Sequence, residues 1–96
     1  MALSIVWSNE AIDDILAIAE FIGKDSPFYA RMVTQKIMSI AESASQFPQA
    51  GRKVPELNNP QIREKFVYSY RIIYEVKTSV IEILAVVHGK RLLDLT

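Results

Sequence analysis

The hydrophobic period changes once along this chain, and the change divides it into a helix-forming half and a strand-forming half. Ala11, Ile12, Ile15, Leu16, Ile18, Ala19 and Ile22 recur at the spacing of one helical face. Ala30, Val33, Ile37, Ile40, Ala41 and Ala44 repeat that spacing. Beyond Gln61 the apolar residues come instead in short runs rich in Ile, Val and Tyr, which is strand composition. Residues 48–60 (PQAGRKVPELNNP) lie between and hold three of the four prolines and one of the three glycines. Pro fixes φ and removes a donor, so this stretch reads as a loop with set bends.

Punctuation refines the elements. Leu3 to Trp7 is a short β-branched run, a first strand. Ser8 offers an N-cap oxygen, and Glu10 and Asp13 place negative charge in the first helical turn. Gly23 lies near the end of that helix. Asp25-Ser26-Pro27 restarts a helix, with Ser26 as cap and Pro27 where no N–H is missed. So short a connection makes the two helices an antiparallel hairpin, and Phe47-Pro48 closes the second. Arg63–Val67, Tyr70–Val76 and Val80–His88 are three strands, with a turn at Lys77-Thr78-Ser79. The last is apolar on both faces, which suits a central strand. The resulting order, β-α-α-β-β-β, is α+β: a helical hairpin on one face of a small, mainly antiparallel sheet. Residues 1–96 form one domain in this reading, without linker, repeat or low-complexity tract.

Strand parity then sorts side chains, if tight hairpins pair Val67 with Tyr70 and Val76 with Ser79. Ile72, Tyr74, Ile81, Ile83, Ala85 and Val87 take the helices. Glu64, Phe66, Arg71, Ile73, Glu75, Glu82, Leu84, Val86 and His88 take the other face, left for solvent or a partner. A slip of one residue reverses every assignment.

Composition narrows the chemistry. There is no cysteine, so disulfides and thiolate metal sites are excluded, and a lone histidine builds no usual zinc site. Such a chain belongs most simply in a reducing compartment, the cytoplasm. The start lacks the basic and apolar regions of a signal peptide, and the longest apolar run, Ile83 to Val87, is too short to cross a bilayer. Net charge is zero, which argues against strong non-specific binding of nucleic acid. The zero conceals an asymmetry. Residues 1–50 carry three basic against six acidic residues, and residues 51–96 carry eight against five. Contact with an anionic surface falls to the second half, unless the asymmetry is ordinary scatter over solvated faces.

Glu64, Arg71 and His88 share a face in this parity. A carboxylate, an imidazole and a guanidinium together can move protons and stabilise charge on a phosphodiester. The same residues also read as a cross-strand Glu64–Arg71 ion pair beside a structural histidine. Phe66, Tyr68, Tyr70 and Tyr74 alternate with Arg63, Lys65 and Arg71, a pattern shared by single-strand binders and ordinary half-buried strands. No nucleophile elbow and no phosphate-cradling glycine loop occurs.

Five stretches in order resemble the RelE/ParE toxin superfamily of bacterial type II toxin–antitoxin systems. They are Trp7-Ser8 to Ala11-x-x-Asp14-Ile15, Phe47-Pro48-x-x-Gly51-Arg52, Ile62-Arg63-Glu64, Tyr70-Arg71-Ile72-Ile73-Tyr74 and Val87-His88-Gly89-Lys90-Arg91. The resemblance implies a toxin held inactive by a cognate antitoxin, without cofactor, metal or membrane. RelE-like members cut messenger RNA on the ribosome; ParE-like members poison DNA gyrase. This chain has no tyrosine after Tyr74 and is neutral overall, and both features depart from the RelE pattern. The ParE-like expectation places target binding on Lys90 and Arg91, with Arg52, Lys53 and Arg71 as lesser contributors. The RelE-like alternative makes Arg71 the stabiliser of the phosphoryl transition state and Glu64 or His88 the proton carrier. A third alternative is a non-toxic binding module on the same fold.

Overall fold

Two serines start the two helices. In the computed structural model, which describes residues 2–91, the Ser8 hydroxyl accepts from the Ala11 N–H at 3.0 Å and Ser26 from Tyr29 at 3.1 Å. Each thereby satisfies one of the orphan donors of a first helical turn. After strand β1 (Ser4–Trp7) follow α1 (Asn9–Gly23) and α2 (Pro27–Ser43), with Pro27 in the first turn. Then come β2 (Arg52–Lys53), β3 (Ile62–Val67), β4 (Tyr70–Val76) and β5 (Val80–His88). The second helix thus ends four residues before Phe47, and the chain reaches Pro48 through turns. The two-residue β2 lies inside the stretch expected to be all loop. It pairs with β3, Arg52 opposite Glu64 and Lys53 opposite Arg63. Two residues are too few to show a period.

The sheet order is β1-β5-β4-β3-β2. The first strand runs parallel to β5, and the other neighbours are antiparallel. An interior β5 accounts for its two apolar faces. The helical hairpin covers one face. Ala11, Ile18, Val33, Ile37 and Ala41 meet Val67, Ile72, Tyr74, Ile81, Ile83 and Val86 there in one core. The hairpin does not use all of its apolar arc. Ile12 and Leu16 sit beside the core-facing line and remain outside, Leu16 at 61% exposure.

Parity holds up to the middle of β5 and then fails. The pairing of Val67 with Tyr70 is as expected. Val76 faces Ile81 and not Ser79, a two-residue shift that preserves parity. Farther on, Ile73 faces Ala85 while Tyr74 faces Ile83, so Leu84 is an extra residue, a β-bulge. Beyond it the faces exchange. Val86 joins the helix-side core, and Ala85 and Val87 pack on the far side. The bulge frees backbone groups from the ladder, and α1 satisfies them. The Ser8 hydroxyl donates to the Leu84 carbonyl at 3.0 Å, and the Asp14 carboxylate accepts from the Val86 N–H at 2.8 Å.

The far face is not left open either. Val54 is buried against Ile73, Ala85 and Val87, with Leu57, Ile62 and Leu84 beside them. Residues 48–60 therefore act as a strap across the sheet. The strap is tied by Tyr74, whose hydroxyl donates to the Pro48 carbonyl at 2.9 Å and accepts from the Gly51 N–H at 3.0 Å. A Cβ at position 51 would lie 2.4 Å from that hydroxyl and 2.8 Å from the Glu64 carbonyl, so only glycine fits. Arg63 Nη1 adds a bond to the Gly51 carbonyl at 2.9 Å.

Candidate functional site

Once the strap is tied down, Arg52 stands opposite Glu64 across the β2–β3 ladder, and Arg71 projects from β4 beside it. Arg71 Nη1 donates to Glu64 Oε1 at 2.9 Å and to Glu56 Oε1 at 3.1 Å. Its Nη2 donates to Glu56 Oε2 at 2.6 Å and to the Arg91 carbonyl at 3.0 Å. The other oxygen of Glu64 accepts from Arg52 Nε. Two guanidinium and two carboxylate groups thus alternate in one network. The fork geometry of arginine is what allows a single side chain to hold two carboxylates and a carbonyl at once.

Burial decides what this network can do. Arg71 is 3% exposed and Glu64 1%. Two such charges are tolerated away from water because each is matched by an opposite one. The hydrogen bond it donates to Glu56 and the nearby carboxylates raise the Arg71 pKa above its ordinary value, so the group stays charged. It serves as a fixed cation and not as an acid or base. Glu64 has both oxygens occupied by arginines and faces no solvent.

His88 does not join them. The bulge at Leu84 turns it to the side opposite Arg71, where it pairs with Tyr70. The two rings meet edge to face with centroids 6.2 Å apart. The expected sharing of one face by Glu64, Arg71 and His88 is therefore corrected: the first two meet and the third is separated. The imidazole Nδ1 accepts from the Lys90 N–H at 3.3 Å, which makes His88 part of the turn leading out of β5.

The residues expected to bind a target fall into two groups. Arg52 and Lys53 are exposed on β2; Lys90 and Arg91 are exposed just after β5. Arg52 and Arg91 join the network, one by its side chain and the other by its carbonyl. The Arg52 guanidinium also lies 5.1 Å from the centroid of the Phe66 ring, which is 51% exposed. Such a cation–π contact holds the charge at the surface while leaving it available. Sequence reasoning missed Glu56. It sits in the strap, where no period marks it, and the only available hint was an acidic residue in a loop rich in bends.

Two other features complete the surface. Trp7, Ile12, Ile15, Leu16 and Met38 line an open groove of about 260 Å³ between the helices and β1. Among the described residues there is no cluster of three or more His, Cys, Asp or Glu able to hold a metal, and no helix is long and apolar enough to cross a membrane.

Comparison with known proteins is consistent with this architecture. A chain from the chromosomal ParDE toxin–antitoxin system of P. aeruginosa superposes with a TM-score of 0.77 at 22% identity, covering 93% of this chain and 98% of that one. A chain of the YoeB dimer from Staphylococcus aureus superposes at 0.65 and 17% identity, covering 92% and 98%. At such identities these two likenesses establish the fold alone. In sequence, the chain is 32% identical over 89 residues to Toxin RelE2 of Caulobacter vibrioides, covering 92% of this chain and 97% of that protein. The model of the ParE toxin of the type II toxin–antitoxin system parDE matches residues 5–93. With nearly its whole length accounted for in this way, the chain belongs to the ParE toxin family of type II toxin–antitoxin systems, within the RelE/ParE superfamily.

Proposed function

We propose that this toxin acts in the cytoplasm by binding DNA gyrase and poisoning it, without cutting RNA. The observation that carries the reading is the burial and mutual neutralisation of Arg71 and Glu64, with His88 on the opposite side of the sheet. Ribonuclease chemistry needs an acid, a base and a cation converging on solvent-accessible phosphate. Of the residues that resemblance offers for those roles, Arg71 and Glu64 are engaged with each other and His88 lies against Tyr70. What faces solvent is a basic rim, Arg52 and Lys53 on one side and Lys90 and Arg91 on the other. Docking on the target falls to this rim, with Lys90 and Arg91 foremost.

Pulse-labelling of DNA and protein synthesis within minutes of induction tests the reading. An early block in DNA synthesis is expected. An early block in protein synthesis would replace gyrase with the ribosome and its messenger RNA, and would require Arg71 to leave its partners. Harmless overexpression would point to a binding module that has lost toxicity. Arg91→Glu is expected to abolish toxicity while the thermal unfolding curve stays in place, since the side chain is exposed; toxicity that survives the change counts against the rim.

The partner that membership of this family brings is a cognate antitoxin. We place one of its segments in the groove beside α1. The groove is apolar, and α1 carries Glu10, Asp13, Asp14 and Glu20 and no basic residue before its end at Gly23. That chemistry suits an amphipathic segment with basic flanks.

A further inference from the structure

The docking rim is in two pieces that are distant in sequence, and one buried side chain touches the anchorage of both. Arg71 reaches the strap through both oxygens of Glu56, β3 through Glu64, and the turn after β5 through the Arg91 carbonyl. Glu64 passes the connection on to Arg52. An unbroken chain of hydrogen bonds therefore runs from Arg52 to Arg91. The backbone after β5 is drawn in close at the same place. The Gly89 N–H donates to the Ser69 carbonyl at 2.6 Å. A Cβ at Gly89 would stand 3.2 Å from that oxygen and 3.8 Å from both the Arg71 Cγ and the Phe66 ring.

We propose that Arg71 is a positioning residue for target docking, which holds Lys90 and Arg91 in fixed spacing from Arg52 and Lys53. The inference rests on the docking role given to the rim above. Its physical basis is geometric. Lysine would bring the same charge on one nitrogen, and a single ammonium cannot span two carboxylates and a carbonyl on different elements. Fixing the spacing beforehand spares the ordering of two basic segments at the moment of binding.

Amide hydrogen exchange on the full chain, wild type against Arg71→Lys, reads the positioning directly. The Gly89 and Arg91 amides are both hydrogen-bonded and so report on it. Their exchange is expected to quicken by roughly tenfold, the loss of a charge-assisted bond, while Ile72 and Ile81 in the core stay slow. Unchanged exchange at Gly89 and Arg91 overturns the proposal, because charge alone would then suffice. Should Arg71→Lys loosen the core as well, Glu56→Gln decides, since it keeps the arginine and weakens the two-point bond that orients its guanidinium toward the Arg91 carbonyl. Local quickening at residues 89 and 91 supports the clamp; uniform quickening or none overturns it. In parallel, affinity for purified gyrase is expected to fall roughly tenfold in Arg71→Lys, by the same loss. If Arg91→Glu binds gyrase as the wild type does, the docking reading fails while the exchange result still stands or falls by itself.

Discussion

Tyr74 shows how much one side chain organises. Parity placed it correctly toward the helices, yet its hydroxyl passes beyond the core to hold Pro48 and Gly51 of the strap. Replacing it with Phe leaves both strap groups without their partner, and the expected loss is about 1–3 kcal/mol by urea denaturation. The pH dependence has a definite sign. Burial raises the Tyr74 pKa above its ordinary value. The unfolded chain therefore releases this proton first, near pH 10. Stability from Tyr74 is complete below that pH and declines as pH rises toward the folded-state value. The advantage of wild type over Tyr74→Phe should thus be constant below about pH 10 and shrink above it; a constant difference into stronger alkali would contradict the burial of the hydroxyl. Arg71 and Glu64 were legible as a cross-strand pair because opposite charges on the two adjacent strands of a hairpin suggest one. Glu56 was not, because loop residues carry no period to place them.

At the scale of elements, the decisive feature is the bulge at Leu84. Hydropathy does not reveal it, since Leu84, Ala85, Val86 and Val87 are all apolar and any assignment of faces looks acceptable. Ser8 and Asp14 read from sequence as a cap and an acidic residue on a helix. Their further role, satisfying the Leu84 carbonyl and the Val86 N–H, exists only once α1 lies across β5. Asp14→Ala is expected to lower stability by about 1–3 kcal/mol, because it strands a part-buried backbone donor. Asp14→Asn keeps an acceptor oxygen and should lose much less. Equal melting temperatures for the two variants would show that the carboxylate does not support the bulge. The consequence for the site is direct. Had β5 continued the Tyr74–Ile83 register without a bulge, His88 would have fallen opposite Ser69, on the same side as Arg71.

For the whole molecule, two surfaces differ in character: the apolar groove beside the acidic helix α1 and the basic rim across the strap and the end of β5. Under the proposed function the first receives an antitoxin segment and the second docks on the target. Leu16→Glu is expected to leave the melting temperature unchanged, as the side chain is already exposed, and to weaken antitoxin binding in a titration; undiminished binding would move the antitoxin elsewhere. The amino-acid sequence alone determined the order of elements apart from β2, the ends of β4 and β5, both serine caps and the interior place of β5. All of these follow from local period, capping chemistry and turn residues, which act over a few positions. Only the tertiary structure decided which charges meet, how the strap covers the far face and where His88 points. Those depend on a single extra residue in one strand and on contacts between segments such as Pro48 and Tyr74 or Arg71 and Arg91, whose separation along the chain leaves no local trace.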